Sequence, residues 1–103
     1  MQIIAGGRQS GRTKRLIEMA AESEAKGEVC YIVCHSRDEA TRIANIARRM
    51  NLKIGFPITY GEFLTRPFSS MGVNHVYIDN VEMLLQHISV FPIKAITITV
   101  EGG

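Results

Sequence analysis

The feature that most constrains the fold is a glycine-rich segment near the start of the chain. Residues 6–13 read GGRQSGRT, between a short apolar run at residues 2–5 and a stretch of good helix formers. A glycine-rich turn between a strand and a helix directs backbone N–H groups toward an anion, and the helix N-terminus adds partial positive charge. The spacing G-x-x-x-x-G followed by a basic residue and Thr therefore predicts a phosphate-binding loop. The predicted phosphate-binding residues are Gly6, Gly7, Arg8, Gln9, Ser10, Gly11, Arg12 and Thr13, with Arg12 in the place of the usual lysine.

The rest of the chain alternates between predicted strands and predicted helices. Apolar runs at 28–34, 53–60, 75–80 and 93–100 indicate strands, in addition to the first one at 2–5. Helical patterns lie between them, and Ser36 and Thr59 each precede a Glu by three residues, which is typical of a capping box. Strict alternation with strands that are apolar on both faces indicates a parallel sheet covered by helices on both sides. We therefore predict one α/β domain over residues 1–103, a three-layer α/β/α sandwich with a mainly parallel five-stranded sheet.

The composition is that of an ordinary globular domain. The chain has 103 residues, of which 46% are hydrophobic, and the formal net charge of +2 is too small to indicate nucleic acid by itself. No run is long enough to span a bilayer and no secretory leader is apparent, so we expect a soluble, cytoplasmic protein without a membrane partner. Cys30 and Cys34 lie four apart in an apolar run, which favours reduced core residues on one face of a strand.

Basic residues form two groups along the sequence. The first group lies in and after the glycine-rich segment and suits a phosphate site. The second group we interpret as the solvated face of a helix. The first comprises Arg8, Arg12, Lys14 and Arg15, and the second Arg42, Arg48, Arg49 and Lys53.

Asp79 is the predicted partner of the glycine-rich segment. It ends the apolar run HVYID, and a carboxylate in that position holds Mg²⁺ directly or through water. Thr13 would supply a hydroxyl to the same ion, so Thr13 and Asp79 are the predicted metal residues and Mg²⁺ with ATP the predicted cofactor. Asp79 could instead cap the following helix. Asn80 and Glu82 are the candidate catalytic residues, although asparagine cannot act as a general base.

Together, GGRQSGRT and VYIDN resemble the P-loop NTPases of the additional-strand, RecA-like class. The order of parts is most similar to the first lobe of superfamily 1 and 2 helicases and of phage terminase large subunits, with degenerate Walker A and Walker B motifs. There a segment like YIVCHSRDEATRIANIA follows the loop, and one like ITYGEFL precedes the Walker B strand. Arg8 at the third position of the loop is particularly terminase-like. Thymidine kinase of the short P-loop type is a second resemblance, but its zinc-binding lasso needs a cysteine set that this chain lacks.

The resemblance implies a small phage-type protein, linked to DNA metabolism, that binds ATP and Mg²⁺ with weak or no hydrolysis. The alternative is a binding module in which the fold survives without nucleotide and docks on a partner ATPase or on nucleic acid.

Overall fold

The computed structural model describes residues 1–7, 11–67 and 71–99. Within them the chain forms α1 (Arg12–Ala25), β1 (Cys30–Cys34), α2 (Arg37–Arg49), β2 (Ile58–Thr59), α3 (Tyr60–Thr65), β3 (His75–Ile78) and α4 (Val81–Ile88). The strands form one parallel sheet in the order β2-β1-β3. Each consecutive pair of strands is joined through a helix, as parallel pairing requires.

The predicted five-stranded sheet is wrong: the sheet of the described residues has three strands. Residues 2–5 form no strand, although Ile4 packs its side chain against the core. The Ile4 side chain is therefore partly buried, although the backbone of residues 2–5 is not paired in the described sheet.

The predicted last strand is also absent, because residues 93–99 are exposed and have no regular structure. The side chain of Gln86 binds the start of this segment at two points: Nε2 donates to the Phe91 carbonyl at 3.0 Å, and Oε1 accepts from the Ile93 amide at 2.9 Å. These bonds hold the segment beside α4. The β-branched pattern expresses only a weak preference for strand, which tertiary context overrides here.

The two faces of the sheet carry different helices. Alternate residues Cys30, Ile32 and Cys34 point into a core formed with α1 and α2, in which Ile17 and Ile43 are fully buried. Val33 points into a smaller core on the opposite face, with Ile58, Tyr60 and Leu84. The sheet therefore has helices on both faces, and the described residues form a small α/β domain with a three-stranded parallel sheet.

Both cysteines are free and buried on the same face, as predicted. Burial raises the pKa of the Cys34 thiol to about 11, so this side chain remains protonated at neutral pH. It donates to the carbonyls of Ser36 and Ile58.

Side-chain caps begin two of the helices where the sequence predicts them. The Ser36 hydroxyl accepts from the Glu39 amide at 3.1 Å and begins α2. Thr59 and Glu62 form a complete capping box at the start of α3. Helix α4 buries Leu84, whereas its first and last residues, Val81 and Ile88, are exposed. None of the described helices is long and apolar enough to cross a membrane.

Candidate functional site

Asp79 lies at the carboxyl edge of the sheet, directly after β3. Its amide donates to the Val33 carbonyl at 2.9 Å, which continues the pairing of β3 with β1 by one residue. The Tyr60 hydroxyl is the hydrogen-bond donor to the turn after β3. It lies 2.7 Å from the Asp79 carbonyl oxygen and 2.8 Å from the Asn80 carbonyl oxygen. Asp79 is only 7% exposed, and its Oδ2 has no hydrogen-bond partner in the part of the chain that the structure describes.

Thr13 and Arg12 bring the start of α1 to this carboxylate. The Thr13 hydroxyl donates to Asp79 Oδ1 at 3.5 Å, so the two predicted metal residues are brought together although 66 positions separate them. Gly11 precedes the helix at φ 82°, a left-handed conformation that favours glycine. Gly11 at the N-cap offers no side-chain acceptor, and no acid lies in the first turn of α1. Among the described residues, the first N–H groups of this helix therefore lie at the same edge without a side-chain cap.

The charges around Asp79 act in opposite directions. Burial raises the pKa of the Asp79 carboxyl, and the negative charge of Glu39 raises it further. Arg42, Arg12 and the hydrogen bond from Thr13 lower it, but burial prevails. A buried carboxylate that is costly to ionise, with one oxygen unpartnered among the described residues, is stabilised by an added cation.

Glu39 and Arg42 are site residues that the sequence interpretation did not include. Arg42 Nε donates to Glu39 Oε1 at 2.8 Å, and its Nη2 donates to the same oxygen. This bond lowers the pKa of Glu39, whose carboxyl stays ionised. The signal was available: Ser36–Glu39 begins a helix after β1, and β1 ends beside β3 at the same edge. The sequence pattern places Arg42 on a solvated basic face together with Arg48, Arg49 and Lys53.

The remaining predicted residues occupy different positions. Gly6 and Gly7 are exposed, and Arg8, Gln9 and Ser10 lie outside the described residues. Asn80 adopts the left-handed conformation at φ 57° before α4, and its side chain makes no capping bond. Glu82 is exposed on the first turn of α4, where it lines a cleft of about 270 Å³ with Gln86 and residues 93–96.

The residues present fit a magnesium ion bound together with phosphate. Among the described residues there is no group of three or more His, Cys, Asp or Glu side chains that could hold a metal by itself. Mg²⁺ typically takes one or two protein oxygens and completes its shell with water and substrate phosphates. Asp79 Oδ2 and the Thr13 hydroxyl are oxygens of that kind, and the buried Oδ2 lacks a competing partner within the described chain.

No protein-family model matches the chain, and neither a curated protein nor a solved structure matches it. Any functional assignment must therefore come from the geometry of this site.

Proposed function

We propose that the chain binds a magnesium nucleotide at the carboxyl edge of its sheet and hydrolyses it slowly or not at all. The observation that carries the proposal is the buried Asp79 carboxylate, with one oxygen unpartnered among the described residues and the Thr13 hydroxyl 3.5 Å from the other. Mg²⁺ would be held by Asp79 and Thr13, and would supply charge neutralisation between the nucleotide phosphates.

The surroundings of this pair favour a phosphate group over a metal alone. The N-terminus of α1 presents N–H groups that no described side chain caps, and Arg12 lies on its first turn. Arg42 is also within electrostatic reach of Asp79, but its ion pair with Glu39 balances its charge. A helix N-terminus with Arg12 on its first turn suits a polyphosphate better than it suits an isolated cation.

We expect slow or absent hydrolysis because the residues near the Asp79 carboxylate are poorly suited to act as a general base. An active site for hydrolysis needs a general base near the attacking water, and the residue after Asp79 is an asparagine. Glu82 is exposed on α4, and the strongest charges acting on Asp79 are those of Glu39, Arg42 and Arg12. Glu39 is already bound by Arg42.

The test is calorimetric titration of ATP and of ADP, each with and without Mg²⁺. We expect micromolar binding of both nucleotides that weakens at least tenfold without Mg²⁺. Asp79→Asn should abolish the Mg²⁺ dependence and Thr13→Ala should reduce it. The matched controls are Glu18→Gln and Thr41→Ala, because both wild-type residues are exposed on the helices and lie outside the site.

Two results would contradict the proposal. One is the absence of heat at millimolar nucleotide for a wild-type protein that is folded by circular dichroism. The other is unchanged Mg²⁺ dependence in the Asp79→Asn variant.

Arg12→Lys tests the shape of the loop. Lysine is a compact charge that fits inside a phosphate loop, whereas guanidinium is planar and larger. We expect ATP affinity to rise several-fold in this variant. Unchanged affinity would mean that Arg12 does not contact the phosphates.

A second candidate function is a binding module that docks on a partner protein without nucleotide. The observation in its favour is the exposed apolar side chains of α4 and the segment after it, among them Met83, Ile88, Val90 and Phe91. Isolated exposed apolar residues are common, but a series within ten positions is unusual for a free surface. A null titration, together with binding of the folded protein to an ATPase partner that Phe91→Ser removes, would favour this function over the first. The phage-type assignment remains a prediction.

A further inference from the structure

A groove lies at the opposite end of α2 from the nucleotide site. Its helix side is formed by Ala44, Ala47 and Arg48, which share one face of α2 at helical spacing. Its other side is formed by Asn51 and the segment that leads into β2, including Lys53 and Phe56. The groove has a volume of about 550 Å³.

Phe56 forms an exposed aromatic wall of this groove. Its side chain is 56% exposed, while the following Pro57 and Ile58 are buried. The backbone before it is fixed from α1, because the Gly55 amide donates to Glu24 Oε2 at 2.6 Å. The ring is therefore held at the surface by its anchored neighbours.

Arg48 and Lys53 have no acidic partner among the residues that the structure describes. Each ion pair of the described residues uses another base, namely Lys26, Arg42, Arg66 or His75. No acid lines the groove, and the nearby Glu24 carboxylate accepts from Gly55. Arg48 and Arg49 also complement the dipole at the end of α2, but that role accounts for neither Lys53 nor Phe56.

We propose that this groove binds single-stranded nucleic acid, with a base stacked on Phe56 and the backbone phosphates on Arg48 and Lys53. A positive groove with an aromatic platform is the arrangement that binds single strands without sequence preference. A duplex keeps its bases stacked internally, so it offers no free base face to Phe56. An acidic peptide would use the cations but gain little from the ring.

The groove is independent of the proposed nucleotide site. Six residues of α2, a rise of about 9 Å along the helix axis, separate Arg42 beside the nucleotide site from Arg48 in the groove. Arg42, at the nucleotide end, is paired with Glu39, whereas Arg48, at the groove end, has no ion pair among the described residues.

The test is fluorescence anisotropy with labelled twelve-nucleotide oligo-dT and oligo-U, using the full chain. We expect dissociation constants on the order of 1–100 µM at low salt, with a log–log salt slope of about −1.4 for two neutralised phosphates. Phe56→Ala should weaken binding roughly 5- to 150-fold, as loss of one stacked base does. Phe56→Tyr should retain it, and the double change Arg48→Glu with Lys53→Glu should abolish it.

Arg37→Glu is the matched charge control, since Arg37 is exposed at the far end of the same helix. It should bind the oligonucleotides within about twofold of wild type. Folding of every variant is checked by its thermal midpoint, which Phe56→Ala should leave nearly unchanged because the ring is exposed.

Four results would overturn the proposal. They are no anisotropy change up to about 100 µM wild-type protein, equal binding of Phe56→Ala, equal binding of a twelve-base-pair duplex, and equal competition by a poly-glutamate peptide. Equal affinity for oligo-dT and oligo-U would support the proposal, because base stacking does not distinguish deoxyribose from ribose.

Discussion

The two faces of the sheet differ in how completely they are covered. On the face of Cys30, Ile32 and Cys34, helices α1 and α2 bury a continuous apolar core. On the face of Val33, the core is smaller, and α4 buries Leu84 while leaving Val81, Met83 and Ile88 exposed. The first face therefore supplies most of the hydrophobic stabilisation. Asp79 lies at the end of the edge strand β3. Its amide donates to the Val33 carbonyl, and its carbonyl accepts from the Tyr60 hydroxyl.

Truncating the well-covered face should have the largest effect on stability. Ile43 is fully buried between α2 and the sheet. We expect Ile43→Ala to lower the free energy of unfolding by about 2–5 kcal/mol, because it loses apolar burial and leaves a cavity. Urea unfolding followed by circular dichroism measures this. A loss below 1 kcal/mol would mean that this face is not the main core.

Removing the hydroxyl of Tyr60 should have the next largest effect. Tyr60→Phe removes the buried donor of the Asp79 carbonyl, whereas the Asn80 carbonyl keeps the amides of Met83 and Leu84. We expect a loss of about 1–3 kcal/mol in the same unfolding measurement. Magnesium-dependent nucleotide affinity should fall as well, since the turn that carries Asp79 loses its support. The matched control is Tyr31→Phe on the same face of the sheet, which should leave nucleotide affinity unchanged. Equal loss of affinity in both variants would contradict this role of Tyr60.

The burial of Asp79 should appear as a pH dependence of stability. Its pKa is raised in the folded protein, so folding is penalised once the carboxyl ionises. The penalty is absent below the ordinary aspartate pKa and is complete above the raised one. Asp79→Asn should therefore become more stable than wild type as pH rises through this interval.

Unfolding of both proteins between pH 3 and pH 7 without Mg²⁺ measures that difference directly. The pKa values of Glu39 and Glu62 are lowered, so these residues stabilise the fold above the ordinary glutamate pKa and lose that contribution as pH falls. Both proteins contain these two residues, so their contribution to stability cancels in the comparison. A difference that shrinks as pH rises would contradict the sign. Addition of Mg²⁺ and ATP should stabilise wild type alone.

Truncating the poorly covered side should have the smallest effect. Ile88 and Ile96 are 56% and 50% exposed. Ile88→Ala and Ile96→Ala should each change the free energy of unfolding by no more than about 0.5 kcal/mol. Losses comparable to that of Ile43→Ala would show that these side chains are buried in solution, for example against another protein, and dilution of the sample would then reveal a concentration dependence.

Local patterns in the sequence determined the helices and the chemistry at their starts. The Ser36 and Thr59 caps, the helical spacing after Gly11 and the acid that ends HVYID all act within a few residues, so they could be identified from the sequence. The pairing of Thr13 with Asp79 was predicted from a more general rule, since the carboxyl ends of parallel strands meet at one edge.

Only the tertiary structure decided which apolar segments pair and which side chains surround Asp79. Residues 2–5 and 93–99 have strand-like patterns, but pairing depends on a neighbouring strand that a local pattern cannot specify. Arg42 has an acid at helical spacing, Glu39, and Arg48 has none, but only the fold brings the first pair near Asp79 and Arg48 beside Phe56. Arg42 and Arg48 have different surroundings because six residues of α2 separate them. The packing of α2 against the sheet determines which side chains lie near each arginine. The glycine-rich segment thus predicted the part of the site at the start of α1. The fold places Glu39, Arg42 and Tyr60 near Asp79 in the same site.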